Sequence, residues 1–424
     1  MKNWDVKKLR DLADIRVSNV DKKIYPSERP VKLCNYMDVY TNEYIDGSIQ
    51  FMEGSANDAE IERFGLNIGD VIITKDSETP DDIGIPTVIH EQIDNLVCGY
   101  HLALIRPDNE KIDSIFLSKY LSTSRVANYF ALHASGSTRF GLPIGAIESV
   151  EILTPPIKEQ TQIATILSTI DRAIEQTEAL IAKQQRIKTG LMQDLLTKGI
   201  DENGNIRSEE THEFKDSPLG RIPVEWEVVT TGQVTKSLVP GRDKPDLDGG
   251  GVPWITIPDI EGMYLDLPKS GLSLSLNAIK VANARLMPKG TVLMSCVGEF
   301  GIATITECDA VANQQLHGFI CDQSILPEWL IAQINASGNR IDNMATQTTI
   351  KYLNKNGCES ILITLPSLKE QVKIISILDN INDLFEKQKK SLNKLRSLKT
   401  GLMQDLLTGK VRVIDLLNQK TAAN

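Results

Sequence analysis

Histidine is scarce in this 424-residue chain, with five residues in all, and the six cysteines (Cys34, Cys98, Cys296, Cys308, Cys321 and Cys358) include no Cys-x-x-Cys pair. So few soft ligands at such irregular spacing argue against a metal centre, and the cysteines read as reduced core thiols. No apolar run approaches the roughly 18 residues needed to span a bilayer. The start, Met1-Lys-Asn-Trp-Asp-Val-Lys-Lys-Leu-Arg10, lacks the apolar stretch of a signal peptide, so a cytoplasmic location is the expectation. There is no Gly-x-x-x-x-Gly-Lys-[Ser/Thr] phosphate loop and no Asn- or Asp-Pro-Pro-aromatic motif to hold a flipped base. Pro107-Asp108-Asn-Glu110-Lys111 lacks the spaced second acid of a nuclease, and Gly298-Glu-Phe-Gly301 is too short for a nucleotide loop; both read as turns. Asp81-Asp82 has no neighbouring histidine to suggest proton transfer. A non-catalytic protein is the expectation.

Positive charge is also in deficit, 46 Lys and Arg against 56 Asp and Glu. The net charge of −10 speaks against a nucleic-acid partner until its distribution is considered. Glu53–Asp82 and Gly199–Ser217 are acidic, whereas Ile381–Arg412 carries eight basic residues against three acids. Local field rather than net charge decides whether a phosphate backbone is attracted. At 41% hydrophobic content the chain can bury real cores, and its length suggests about two to four domains.

What is present is a repeat. Lys188-Thr-Gly-Leu-Met-Gln-Asp-Leu-Leu-Thr197 recurs unchanged as Lys399–Thr408, an offset of 211 residues, and the register holds upstream. Pro155, Lys158, Glu159, Gln160, Ile163, Ile166, Leu167, Ile170, Glu175 and Lys183 recur as Pro366, Lys369, Glu370, Gln371, Ile374, Ile377, Leu378, Ile381, Glu386 and Lys394. Solenoid units run roughly 20–50 residues. Each copy is therefore a whole domain followed by a helix, and two copies imply pseudo-two-fold symmetry.

The helical part has a heptad seam. Ile163, Leu167, Ile170, Ile174, Ile181, Leu191 and Leu195 fall on steps of four and three, matched by Ile374, Leu378, Ile381, Phe385, Leu392, Leu395, Leu402 and Leu406. Thr177, Gln184, Gln388, Lys188 and Lys399 interrupt it, with Ile187 and Leu398 supplying apolar cover one position earlier, as a stutter would. The two helices could thus wind together, imperfectly. Pro155-Pro156 and Pro366 stand where they begin, and Gly199 and Gly409 where they end. Roughly forty residues at about 1.5 Å each give a rod near 60 Å. Gly190 and Gly401 within the pattern mark a close crossing, a kink or an earlier helix end.

The parts before the helices are mixed α+β. Gly69–Lys75, Ile85–Ile89, Gly290–Ser295 and Ile302–Thr306 are β-rich runs between turn formers. The copies echo one another at Trp4-Asp-Val and Trp226-Glu-Val, at Leu33–Val39 and Trp254–Ile260, and at Gly69-Asp-Val and Gly290-Thr-Val. Elsewhere identity vanishes, so the domains share a scaffold and differ at their surfaces. The expected organisation is residues 1–154 as a first domain, 155–197 as the central helix, 198–217 as a charged linker, 218–365 as a second domain, 366–412 as the C-terminal helix and 413–424 as a tail.

With these echoes, with Leu365-Pro-Ser-Leu-Lys-Glu-Gln371 opening a helix and Leu402-Met-Gln-Asp-Leu-Leu-Thr-Gly-Lys-Val-Arg412 closing it, the chain resembles the specificity subunit of type I restriction-modification systems over essentially its whole length. The resemblance implies two α/β target recognition domains in tandem, each reading one half of a split, asymmetric DNA site. It implies that the two long helices form an antiparallel coiled coil that spaces the domains and docks two modification (methyltransferase) subunits, with restriction subunits outside them. No cofactor is expected in this chain; S-adenosylmethionine and ATP would bind the partners.

Candidate DNA-contacting residues lie in loops with short polar and basic side chains, the types that reach phosphates and base edges. They are Arg16, Ser18, Asn19, Lys22 and Lys23, with the positional counterpart Gly241, Arg242 and Lys244. A second pair of loops holds Ser137, Thr138 and Arg139, and Gln347, Thr348, Thr349 and Lys351, related by the same offset. Turn formation and solvated surface charge are the ordinary roles of such residues. A coiled-coil scaffold that gathers protein partners without reading DNA is the alternative reading, and an unrecognised nuclease or transferase a third, without support in the sequence.

Overall fold

The structure, a computed structural model, describes residues 4–241, 243–346 and 350–413. The chain divides into two compact units, one formed by residues up to Ala179 with those from Lys389 onward, the other by Leu180–Gln388.

In the first unit a five-stranded sheet runs Ala13–Val17, Leu102–Pro107, Val71–Thr74, Pro86–Ile89, Tyr44–Ile45, antiparallel except for the last, parallel pair. Val71–Thr74 and Pro86–Ile89 are buried at every residue, as near-continuous apolar strands covered on both faces must be. Side chains of a strand alternate between faces. Val71, Ile73, Ala103 and Ile105 accordingly enter one core with Phe116, Leu117 and Phe130, while Ile72, Leu102 and Leu104 enter another with Val31, Leu33 and Phe64.

The second unit repeats this order with Thr235–Leu238, Leu316–Cys321, Val292–Ser295, Ala303–Thr306 and Tyr264–Leu265, again with one parallel pair at the end. Val292, Met294 and Phe319 enter one core and Leu293 and Leu316 the other. A smaller sheet also recurs: Arg29–Cys34 lies parallel to Leu96–Cys98, and Val252–Ile255 parallel to Ala310–Ala312. After each of these strands the backbone amide at the helix N-cap donates to the acid three residues on, Asn35 to Asp38 at 2.7 Å and Thr256 to Asp259 at 2.9 Å. The echoes at Leu33–Val39 and Trp254–Ile260 are therefore one strand-to-helix junction built twice.

The long helices span Ile157–Thr197 and Leu368–Leu407. In the first unit Glu159 meets Arg412, Asp171 meets Lys399 and Glu178 meets Arg396, so ascent along one helix is descent along the other. In the second unit Lys188 lies 5.5 Å from the centroid of the Phe385 ring. Apolar residues near the helix ends do not serve a helix–helix seam alone. Ile163, Leu167 and Leu406 are part of the first unit's domain core, and Leu195, Ile374 and Leu378 part of the second's. Ile170 and Leu392 are also buried, while Ile174, Ile181, Leu191, Ile381, Phe385, Leu395 and Leu402 are half-buried.

Four expectations are corrected. Ile187 and Leu398 are 56% and 52% exposed, so they do not cover the seam. The stutter is unnecessary because the lysines beside them find their own partners. Lys399 pairs with Asp171 and Glu43, and Lys119 with both of the same acids, at 2.6 Å to Asp171; burial pulls the Asp171 carboxyl upward, but the two ammonium groups hold it below the usual carboxylate range. Gly190 and Gly401 end no helix, and a Cβ on either would meet nothing within 4 Å, which excludes a close crossing there. The stretch 198–217 is not a simple linker. Ile200 is buried in the second core, Arg207 pairs with Glu370 at 2.5 Å, and Phe214–Ser217 forms a hairpin with Gly220–Pro223. Of the cysteines, Cys34, Cys98, Cys296 and Cys358 are buried, but Cys308 and Cys321 are only partly so.

The glycines separate cleanly by environment. Gly199 has φ +63°, and a Cβ there would lie 2.3 Å from Glu370 and 2.4 Å from Trp226. Gly190→Ala and Gly401→Ala are expected to stabilise the protein by about 1 kcal/mol each through helix propensity, and Gly199→Ala to destabilise it by more than about 1–2 kcal/mol. Thermal unfolding of the three variants checks the opposite signs.

Candidate functional site

The expected loops converge in the first unit, though not through all of the expected residues. Arg16 lies on strand Ala13–Val17 with its guanidinium engaged by Asp14 and by the Arg63 carbonyl at 2.7 Å. Ser18 is 2% exposed; its hydroxyl donates to the Cys98 carbonyl at 2.5 Å and accepts from the Val20 amide at 3.2 Å. Both side chains are engaged within the domain, Ser18 buried and Arg16 partly exposed. Asn19 bonds Glu60 at 3.4 Å, whereas the side chains of Lys22 and Lys23 are exposed.

Ser137, Thr138 and Arg139 form the exposed tip of a hairpin. Ser135 and Gly141 exchange both backbone hydrogen bonds at its base, and Gly136, at φ +147°, admits no side chain because a Cβ would lie 1.9 Å from the Arg139 carbonyl oxygen. The hairpin is seated on the segment after strand Val71–Thr74, with Phe140 opposite Ser77 and Gly141 opposite Asp76.

Between that hairpin and the Lys22–Lys23 loop lies a cluster that sequence reading did not single out. The Tyr100 amide donates to the Val20 carbonyl at 2.7 Å, and the Lys75 amide to the His101 carbonyl at 2.8 Å. Asp76 accepts from Lys75 at 2.6 Å and engages His101 Nδ1 at 2.5 Å. Burial pushes the Asp76 carboxyl up, but Lys75 and His101 more than offset it and bring it below its ordinary value. Tyr100 is 46% exposed, with its ring edge-on to His101 at 4.1 Å. Tyr36 and Tyr40 stack at 5.5 Å on the helix Tyr36–Thr41. The one available signal was the polar, aromatic pair Tyr100-His101 interrupting two apolar runs.

In the second unit Gly241 is half-buried and its carbonyl accepts from Gln314 at 3.3 Å; Lys244 is exposed. Lys351 pairs with Asp342 at 2.6 Å, and its carbonyl accepts from the Gly298 amide at 2.9 Å. Thr346 and Val297 both face Tyr352 across backbone pairings, the arrangement by which the first unit seats its hairpin. Arg242, Gln347, Thr348 and Thr349 lie outside the described residues. Among the described residues no cluster of His, Cys, Asp or Glu could hold a metal ion, and no helix is long and apolar enough to cross a membrane.

Each unit therefore presents one face where three loops meet, framed alike and furnished differently. Basic, amide, hydroxyl and aromatic groups are present on these faces, beside acids such as Asp76 and Asp342. That set matches phosphates and base edges.

Comparison with known proteins agrees. Residues 1–184 and 223–397 match the family described as the type I restriction modification DNA specificity domain. The type I restriction enzyme MjaX specificity subunit of Methanocaldococcus jannaschii is 26% identical over 427 residues, covering 97% of this chain and 94% of that one. The HindI specificity subunit of Haemophilus influenzae is 22% identical over 478 residues, 97% of this chain and 100% of that one. The crystal structure of the S subunit from M. genitalium matches with a TM-score of 0.57 at 16% identity, covering 95% of this chain and 96% of that one.

The two sorts of loop residue should separate in the laboratory. Ser18→Ala removes a buried hydrogen bond and is expected to cost about 1 kcal/mol of stability, whereas Lys22→Ala should leave stability within about 0.5 kcal/mol. Chemical denaturation distinguishes them.

Proposed function

The chain belongs to the type I restriction-modification DNA specificity family, and we propose that it reads a bipartite, asymmetric duplex DNA site with one half-site for each recognition domain while its paired long helices hold modification subunits. It is the DNA-recognition subunit of its complex and not itself an enzyme. The observation that carries the reading is the duplicated scaffold with unlike faces: the same five-stranded order twice, with Lys75, Asp76, Tyr100 and His101 in one copy and Cys296, Val297, Gln314 and Gln315 at the equivalent places in the other. Two different faces on one framework read two different half-sites, which makes the site asymmetric.

Residues 1–154 and 218–365 are the two recognition domains in this reading, and the helices between and after them form an antiparallel coiled coil that relates the halves by a pseudo-two-fold axis. The ion pairs of Asp171, Glu178 and Glu159 with Lys399, Arg396 and Arg412 support the antiparallel sense. The repeat supports a stoichiometry of two modification subunits. Ile187 beside Gly190 and Leu398 beside Gly401 form the same exposed feature twice, an apolar side chain next to an open glycine three residues on. One modification subunit on each accounts for both. S-adenosylmethionine would be bound by those subunits, and ATP by restriction subunits outside them, in the cytoplasm where the DNA is.

On the DNA the work divides in the usual way. Lys22, Lys23, Arg139 and Lys244, exposed at loop tips, fit phosphate contacts that set register, and the groups between them fit base edges. The net charge of −10 does not oppose this, because phosphate attraction depends on the charge lining the contact surface.

Co-expression with a modification subunit, followed by mapping of methylated adenines, tests the proposal: a split, asymmetric motif is expected, and its absence from an assembled complex would refute it. Exchanging residues 1–153 for the first domain of another family member should alter one half of the motif only. Leu392→Asp with Leu395→Asp, which puts charges into the helix pairing, should abolish co-purification of the modification subunit.

A further inference from the structure

One short loop can be compared residue by residue between the two recognition domains. In the first, Gly99-Tyr100-His101 joins strand Leu96–Cys98 to strand Leu102–Pro107; in the second, Asn313-Gln314-Gln315 joins Ala310–Ala312 to Leu316–Cys321. The same two backbone hydrogen bonds close both loops. The Gly99 amide donates to the Cys34 carbonyl and the Asn313 amide to the Ile255 carbonyl, each at 2.9 Å; the Lys75 amide donates to the His101 carbonyl at 2.8 Å and the Cys296 amide to the Gln315 carbonyl at 2.9 Å. The frame is the same, and the side chains it presents have nothing in common.

In each loop the last side chain is held by a neighbour. Asp76 engages His101 Nδ1 at 2.5 Å, and Asn313 donates to Gln315 Oε1 at 3.1 Å. The preceding residue is tied to the first candidate loop, Tyr100 by its amide to Val20 and Gln314 by its side chain to Gly241. His101 sits at φ +75°, a left-handed conformation that costs a non-glycine residue energy and recurs at functional positions. Gln314 and Gln315 are exposed, as is Tyr100. A site that only gripped phosphate would be lined with cations. These pairs instead offer directional donors, acceptors and an aromatic face on a pre-set backbone, which is what base reading demands.

We propose that Tyr100-His101 and Gln314-Gln315 are the base-reading pairs of the first and second half-sites, with Asp76 and Asn313 as their positioning residues. The inference rests on the reading of the chain as a DNA specificity subunit. His101, engaged at Nδ1, presents Nε2 to a base edge, and the Tyr100 ring offers an apolar contact to a thymine methyl group. The Gln315 amide carries the donor and acceptor that together match the N7 and N6 edge of adenine in the major groove.

The test uses the assembled complex with its modification subunit and maps methylated adenines in host DNA. Gln315→Ala is expected to relax one base pair of the second half-site by roughly tenfold to a hundredfold in discrimination, with the first half-site unchanged. His101→Ala should relax one base pair of the first half-site and leave the second intact. Gln315→Glu, which replaces a donor and acceptor with acceptors alone, should shift preference at the same position towards cytosine, whose N4 amino group donates. A wild-type complex that writes a split motif, together with variants that write it unchanged or lose methylation evenly at all sites, overturns this inference and leaves the function standing. A wild-type complex that writes no split motif overturns both.

Discussion

A paired, largely desolvated glutamate at the start of each long helix is the constraint on which the rest of the structure depends. The side chain of Glu159 is 3% exposed and that of Glu370 11%. A carboxylate so placed is tolerable only if paired, because an uncompensated buried charge costs several kcal/mol. Glu159 is clamped by both Arg412 contacts at 2.7 Å, and Glu370 by Arg207 with further bonds from the Trp226 indole at 3.1 Å and the Ile200 amide at 3.0 Å. In both cases the arginine follows the end of the other long helix. Each joint thus forces one helix start, one helix end and the tryptophan that opens a recognition domain to meet: Trp4 lies 5.2 Å from the Arg412 guanidinium, and Trp226 bonds Glu370. Gly199 and Gly409 are required because a Cβ on Gly199 would clash with Trp226 and Glu370, and one on Gly409 would crowd Trp4 at 3.2 Å. Within the first unit, the joint and the ion pairs beyond it set the antiparallel sense in which the two helix segments run.

The repeat is not reproduced uniformly. Lys188 and Lys399 occupy the same place in an identical ten-residue segment, yet Lys399 bridges Asp171 and Glu43 in the first unit while Lys188 lies over the Phe385 ring in the second. The difference arises across the pairing. Asp171 has Asn382 as its counterpart, and Phe385 has Ile174, so one lysine finds a carboxylate and the other an aromatic face. The network in the first unit also takes in Lys119 and the Tyr44 hydroxyl, which donates to Asp171 at 2.8 Å. It ties the recognition sheet's edge strand to both helices, and a duplicated sequence thereby acquires two distinguishable ends.

Much of the architecture was legible because it rests on periodicity and repetition. The helix starts after Pro155-Pro156 and Pro366, the strands within 69–75, 85–89, 290–295 and 302–306, and the junctions at Leu33–Val39 and Trp254–Ile260 are local patterns that local chemistry enforces. The site was less legible. Ser18 has the composition of a contact residue but sits under a carbonyl, and Arg16 is spent on its own domain, whereas Tyr100 and His101 carry no motif at all. Loop function depends on which loops a sheet brings side by side, and strand order skips along the sequence: Val71–Thr74 lies between strands that begin at Pro86 and Leu102.

By itself the amino-acid sequence determined that there are two copies of one domain-plus-helix unit, that the copies share a framework and differ at their surfaces, and that no phosphate loop or base-flipping motif accompanies them. These follow from identities at a constant offset and from apolar spacing, which need no third dimension. Tertiary structure alone decided which seam residues belong to the domain cores, why Ile187 and Leu398 stay in solvent, and that the stretch after the first long helix is tied down by Arg207. It also decided which of the polar loop residues stand together on one face. Each of these turns on a neighbour far away in the chain, and burial and charge pairing are properties of neighbours rather than of residues.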